Sequence, residues 1–320
     1  MLNDAIGGYF GLDLREKEAY HKEKKCIALN TSRNCLEYIL FGRNYQLVFI
    51  PYFTCEAILE PFNKLNIQFE FYSIDENLEP IFDFNKLDSN AAFLYTNYFG
   101  LKDNYIKELA AQDVNLIIDN SQSFFSKPIS GIDTFYSARK FIGVADGAYL
   151  YTNKMLSTSL ELDYSFERMG HLLKRLDVGA EDAYAMFLDN DASLVNQPIK
   201  KMSRLTQKIL SAVDYDFIKA RRIENFDFLH SRLNVSNLLK LNKNEDEVPM
   251  VYPYRTNDVE LKKRLRNCKI FCPTYWPNVK EWCSDIQLEY KLTEEIIAIP
   301  IDQRYTINDM QSILKIIDNV

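Results

Sequence analysis

Residues 133–151 read DTFYSARKFIGVADGAYLY. A short apolar strand leads into Ser137-Ala138-Arg139-Lys140, then into a turn holding Gly143, Asp146 and Gly147, and then into a second strand. A lysine just past a strand end, in a segment poor in charge, is an amine that desolvation can tune into a nucleophile for a carbonyl carbon. A solvated loop lysine is the commoner case for such a residue taken alone. The reading therefore turns on the run before it, IIDNSQSFF at 117–125, and on its Asp119 and Gln122.

Working outward, the flanking chain alternates strands with helices. Leu47 to Pro51 reads as a buried strand, with Tyr52-Phe53-Thr54-Cys55 opening the next helix. Residues 67–74 set Ile67, Phe69 and Phe71 against Gln68, Glu70 and Tyr72, the pattern of a half-buried strand. Ala91 to Thr96 is a further strand, ending in Asn97-Tyr98-Phe99-Gly100. A helix from about Asp103 to Gln112 leads to a strand from Val114 to Asp119. This order predicts an α/β fold with a mainly parallel sheet covered on both faces. Ligands in such sheets bind at the carboxyl ends of strands, where Asn97, Asp119 and Lys140 all fall.

Toward the N-terminus, Leu14 to Lys25 is charged and helix-prone. Cys26 to Leu29 is a short strand, followed by Asn30-Thr31-Ser32-Arg33-Asn34 and a helix marked by Leu36, Ile39 and Leu40. Small polar residues at a helix start suit a phosphate, and they equally suit ordinary capping by Thr31 or Ser32. No GxGxxG fingerprint follows a strand, and there is no P-loop. Toward the C-terminus, Met155 to Leu194 is helix-rich, and Asn196-Gln197-Pro198 breaks it. Helices follow over Met202–Val213 and from Asp216 to about Leu233, and Asn242 to Glu247 is a polar loop. A strand (Val248 to Tyr254), a helix (Asp258 to Arg266), a strand (Glu295 to Pro300) and a last helix, with Thr306 and Asp309 as a capping box, close the chain. The expected organisation is a large α/β domain over 1–225 and a small α+β domain over 226–320, the latter a strand–helix–strand–strand–helix remnant.

The 320 residues suffice for a sizeable core, and 47% hydrophobic with 13% aromatic residues excludes general disorder. A net charge of -7 argues against nucleic acid as a partner. The six cysteines form no CxxC pair, so no metal site is expected and a reducing compartment fits. No signal peptide and no membrane span is expected, so the reading is a cytoplasmic protein. His21, His171 and His230 read as surface or satisfied residues. Tyr275, Trp276 and Trp282 read as packing of the small domain. Asp302-Gln303-Arg304-Tyr305 has no assigned role beyond a salt-bridged turn.

Asp119, Gln122 and Lys140 together fit one chemistry. A carboxylate ending a buried strand is unfavourable unless it is paired or has a task. A cofactor with a pyridine ring supplies the task, because the carboxylate keeps the ring nitrogen protonated. Gln122 could reach the ring's phenolic oxygen, Lys140 could carry the aldehyde, and Ser32, Arg33 and Asn34 could hold the phosphate of pyridoxal 5'-phosphate.

On these residues the chain resembles the DegT/DnrJ/StrS-type nucleotide-sugar aminotransferases, which have the aspartate-aminotransferase fold (fold type I). Residues 30–36 are similar to their phosphate-binding helix start, 118–123 to their acidic motif with Asp and Gln three apart, and 137–147 to their lysine strand with its Gly-rich turn. The resemblance implies a homodimeric enzyme that moves an amino group from an amino acid, with glutamate the expected donor, to a nucleotide-linked keto sugar. It implies Lys140 as the catalytic amine and Ser32, Arg33, Asn34, Phe53, Asp119, Gln122, Ser137 and Asn196 as cofactor contacts, Asn196 reaching across the dimer. The chain departs from the pattern at four places. The ring-stacking aromatic is Cys55, with Phe53 as its expected substitute. Asn97 stands in place of a histidine, Asn120 in place of an alanine, and Phe135 in place of a serine, which leaves Ser137 as the phosphate contact. Two alternatives stay open: a fold-type-I transaminase for a non-sugar substrate, and a non-catalytic relative that binds a nucleotide sugar.

Overall fold

The computed structural model describes residues 7–23, 25–112 and 114–318. In chain order the elements begin with β1 (Cys26–Leu29), α1 (Ser32–Arg43), β2 (Leu47–Pro51), α2 (Leu59–Leu65), β3 (Gln68–Ile74) and β4 (Pro80–Ile81). Then come β5 (Ala91–Thr96), α3 (Asp103–Ala110), β6 (Leu116–Asn120), β7 (Asp133–Ser137) and β8 (Ala148–Tyr151). Helices α4 (Gly170–Asp177), α5 (Ala180–Ser193), α6 (Arg204–Ala212) and α7 (Tyr215–Leu233) follow. The chain ends with β9 (Val251–Arg255), α8 (Leu261–Asn267), α9 (Val279–Trp282), α10 (Leu288–Glu295), β10 (Ile296–Pro300) and α11 (Ile307–Asp318).

The first eight strands form one sheet in the order β1-β8-β7-β6-β5-β2-β3-β4. From β3 through β2, β5, β6 and β7 every neighbour is parallel, while β8 and β1 at one edge and β4 at the other are antiparallel. The central strands read as continuous apolar runs because helices cover both faces, and all six residues of β5 are buried. The expected mixed α/β architecture with a mainly parallel sheet is the one found. One apolar cluster, with Ile39, Leu40, Val48, Ile50, Leu94 and Ile117 at its centre, lies under α1 and α2. The other, rich in aromatics, lies on the opposite face and runs on into the C-terminal residues.

Two expectations need correction. Residues 14–23 are not helical; they run without regular structure, held by Lys17 N donating to Ser211 O and by the Tyr20 hydroxyl on Phe125 O. The stretch has helix-forming residues but no apolar stripe to bury, and its one buried side chain, His21, packs among Phe124, Tyr136 and Tyr149. Among the described C-terminal residues there are two strands, β9 and β10, paired antiparallel. The segment between α8 and α9 carries Cys272, Tyr275 and Trp276 in an irregular course that packs on the main body, so no third strand forms. The capping box is present: the Asp309 carboxylate accepts from Thr306 N (2.7 Å) and from its hydroxyl (2.8 Å).

Candidate functional site

The loop that carries Lys140 is fixed at both ends. Ala138 N donates to Gly147 O, and Gly147 N donates to Asn30 O at the mouth of α1. Gly147 has φ +120°, and a Cβ there would stand 2.9 Å from the Thr206 side chain, so glycine is required on both counts. Asp146, fully buried, accepts from Ser203 N (2.8 Å), from the Ser203 hydroxyl (2.7 Å) and from the Thr206 hydroxyl, and so holds the start of α6. From the other side, Asn190 on α5 donates to Ala145 O (3.1 Å), and Arg139 pairs with Asp191. Lys140 itself is exposed, and its Nζ lies 5.9 Å from the ring centre of Tyr275.

Asp119 sits one residue from the end of β6, in register with Thr96 and Phe135. Its Oδ1 accepts from Ser121 N (2.7 Å). Burial pushes its carboxyl above the usual range; hydrogen bonds from Ser121 and the nearby charge of Lys140 oppose that rise. Gln122 is buried, and its Oε1 accepts from Phe99 N (2.8 Å). Its Nε2 has no partner among the described residues although no solvent reaches it. Such a donor carries a desolvation penalty of about 1–3 kcal/mol until something accepts from it.

The phosphate candidates divide. At the start of α1, Thr31 caps the helix through Asn34 N (3.1 Å), and the side chain of Ser32 makes no described hydrogen bond. Ser137, at the end of β7, likewise has no described side-chain partner. Arg33 is engaged with Leu194 O (3.1 Å) and with Glu60, and the Asn34 side chain with Thr31, Glu37 and Gln197 O. Phe53 is wholly buried against Trp276 and Tyr98, 5.1 and 5.6 Å between ring centres. Asn196 lies on an exposed left-handed turn, its backbone N donating to Glu60. The structure thus brings Asp119, Gln122 and Lys140 to neighbouring strand ends, and it holds Arg33, Asn34 and Phe53 in other contacts.

Lys140 opens onto a cavity of about 940 Å³ between the α4–α5 hairpin, its own loop, α8 and the turn at 302–304. Sequence reasoning missed most of that wall. Arg222 is buried and donates to Met250 O (2.8 Å), Pro249 O and Gln303 Oε1, with its guanidinium 4.5 Å above the Phe141 ring; burial lowers its pKa to about 10. His171 is also buried in this wall, with Nδ1 on Arg168 O (2.8 Å). The Asp302–Arg304 pair is the expected salt-bridged turn. Arg175, Lys262 and Arg266 line the cavity without a carboxylate partner among the described residues. The two acids of the wall are engaged elsewhere, Glu181 with Lys269 and Asp302 with Arg304.

Comparison with solved structures places this architecture. The sugar aminotransferase CalS13 from Micromonospora echinospora superposes with a TM-score of 0.61 at 13% identity, over 92% of this chain and 86% of that one. A DegT DnrJ EryC1 StrS aminotransferase from Brucella abortus gives 0.59 at 15%, over 91% and 84%. NtdA from Bacillus subtilis, with its cofactor PMP bound, gives 0.63 at 14%, over 94% and 74%. The fold is that of the fold-type-I sugar aminotransferases. No family profile matches the chain, and no curated protein matches it.

The site's residues fit the cofactor of that fold. An orphaned amide donor, a half-buried carboxylate at a strand end and a lysine on a rigid loop are the groups a phosphorylated pyridine aldehyde needs around it.

Proposed function

We propose that the chain is a pyridoxal-phosphate-dependent aminotransferase that transfers an amino group from an amino acid, with glutamate as donor, to a nucleotide-linked keto sugar. The observation that carries this reading is the unpartnered Gln122 Nε2, just past the strand that carries Asp119 and next in the sheet to the strand that leads to Lys140. Bound there, the cofactor supplies a pyridine ring that takes up the electron pair of a breaking C–H bond.

The chain's own residues supply the rest. Lys140 would hold the aldehyde and, as a free amine, would move the proton from the substrate's α-carbon. Asp119 would keep the ring nitrogen's proton in place. Gln122 would donate from Nε2 to the ring's oxygen, while Phe99 N fixes the other end of the amide. The hydroxyls of Ser32 and Ser137 and the helix start at Ser32 would take the phosphate. Arg175, Lys262 and Arg266 give the cavity an excess of positive charge in a chain of net charge -7, which supports an anionic substrate.

The reading includes a homodimer. Leu173, Leu176, Tyr184 and Leu188 leave an exposed apolar face on α4 and α5 that a second copy would cover, and Asn196 follows on the next turn. It also includes a division near residue 225, which falls inside α7, and a reducing compartment, consistent with six free cysteines. Among the described residues no helix is long and apolar enough to cross a membrane.

The test is a visible absorption spectrum of the protein with pyridoxal phosphate, beside Lys140→Ala. A band in the wild type that glutamate bleaches, and that the variant lacks, is the expected result. Absence of the band in the wild type overturns the proposal. With the band in hand, acceptance of the amino group by a nucleotide keto sugar but not by simple keto acids fixes the substrate class.

A further inference from the structure

At residue 55, where the resembling enzymes carry a ring-stacking aromatic, this chain has a cysteine, and Phe53 is wholly buried against Tyr98 and Trp276. A different aromatic reaches the same corner from far along the chain. The segment around Tyr275 docks on residues 53–55 at two points: Asn278 Nδ2 donates to Thr54 O (2.9 Å), and Trp276 packs edge-on against Phe53 at 5.1 Å. This places the Tyr275 ring 5.9 Å from Lys140 Nζ and 6.0 Å from the ring of Phe99, whose backbone N holds Gln122. Burial pushes the Tyr275 hydroxyl's pKa up, opposed by the nearby charge of Arg222. Tyr275 makes no described hydrogen bond through its hydroxyl, so the ring itself is what the corner receives. Trp276 fills the space against Phe53 and Tyr98, while Tyr275 sits at the edge of the aromatic cluster, half-buried beside Phe99 and Trp276.

We propose that Tyr275 is the aromatic wall of the cofactor's ring pocket, replacing from the C-terminal segment the residue that Cys55 leaves missing. This rests on the cofactor reading above and adds a residue to it. Tyr275 acts as a positioning residue: an aromatic face beside a heteroaromatic ring restricts its tilt and removes water from it. A pocket wall carried by the C-terminal segment also makes cofactor retention depend on how that segment is docked.

The experiment is a titration of apoprotein with pyridoxal phosphate, without any substrate, in wild type, Tyr275→Phe, Tyr275→Leu and the double variant Cys55→Phe/Tyr275→Leu. Tyr275→Phe is expected to bind as the wild type does. Tyr275→Leu is expected to weaken cofactor binding about tenfold while its melting curve in the absence of cofactor stays close to wild type. Restoring an aromatic at 55 is expected to recover most of that loss. Wild-type affinity in Tyr275→Leu overturns the proposal, as does an equal loss in Tyr275→Phe and Tyr275→Leu, or a double variant no better than Tyr275→Leu. If leucine at 275 unfolds the protein, Tyr275→Met keeps the bulk without the ring and is read in the same way. A wild type that takes up no pyridoxal phosphate sinks the cofactor reading itself, whereas tight binding indifferent to residue 275 sinks only this inference.

Discussion

Asn97 and Gln122 are both buried amides just past the ends of neighbouring strands, and they behave in opposite ways. Asn97 Nδ2 donates to Asp103 Oδ1 (2.7 Å) and Asn120 Oδ1 (3.0 Å), and its Oδ1 accepts from Lys102 N (3.0 Å). Ser126 closes the ring by donating to Asp103 Oδ1 (2.6 Å) and pairing with Ser123. That cluster has nothing left to offer a ligand. Gln122 is tied at one end and open at the other. A closed buried network specifies structure, whereas an open valence leaves a donor for a ligand to satisfy, which is the role proposed for Gln122. The histidine expected at 97 is thus replaced by a residue whose work here is architectural.

The sharpest way to break this contrast is at Lys140. Lys140→Ala is expected to lower transamination by about 10³-fold or more, since it removes both the anchor and the proton carrier, with little change in melting temperature. Activity retained in that variant would remove the lysine from the mechanism. Gln122→Leu is expected to weaken cofactor binding about ten- to a hundredfold, the range of one hydrogen bond to a charged group. Its stability should change less than for a satisfied amide, because the substitution also deletes an orphaned donor; equilibrium unfolding of the apoprotein checks this.

The closed clusters should respond the other way, in stability and not in binding. His21 is closed too, with Nδ1 at the Tyr151 hydroxyl (3.1 Å) and Nε2 at Phe124 O (3.0 Å), and burial lowers its pKa to about 4. Its folded value lies below the ordinary 6.5, so the unfolded chain binds the extra proton between the two. Stability from this site is therefore full above pH 6.5 and is lost as the pH falls toward 4, by at most about 3 kcal/mol. Unfolding curves across that range, compared with His21→Phe, should show a shallower slope in the variant, the remainder coming from His171 and His230, whose pKa burial also lowers. Asp103→Ala, which strands Asn97 and Ser126, is expected to lose about 2 kcal/mol of stability while binding pyridoxal phosphate as the wild type does. A large loss of cofactor affinity there would mean that the two clusters are one.

What could be read from the chain beforehand follows the same division. β5, β6 and β7 are continuous apolar runs with polar residues at their ends, so the parallel sheet and the placement of Asp119 and Lys140 were legible from local pattern. Side-chain direction was not. Nothing in the residues 30–34 says that Arg33 turns to Leu194 O or that Asn34 turns to Gln197 O, because those partners lie more than 150 positions away. Residues 14–23 looked helical because propensity counts neighbours in sequence, whereas their place was decided by α6 and by the aromatics around His21. Tyr275 does pack against the core, and the further role proposed for it is invisible to local pattern because it depends on a cysteine 220 positions earlier.

The loop from Ala138 to Gly147 has a consequence for descent. Its shape is set by backbone hydrogen bonds to Gly147 and Asn30, by Asp146 at the start of α6 and by Asn190 at Ala145 O, and none of these involves the Lys140 side chain. The socket persists whatever residue occupies position 140. A single codon change at 140 can therefore add or remove an amine at this strand end and leave the loop's hydrogen bonds in place.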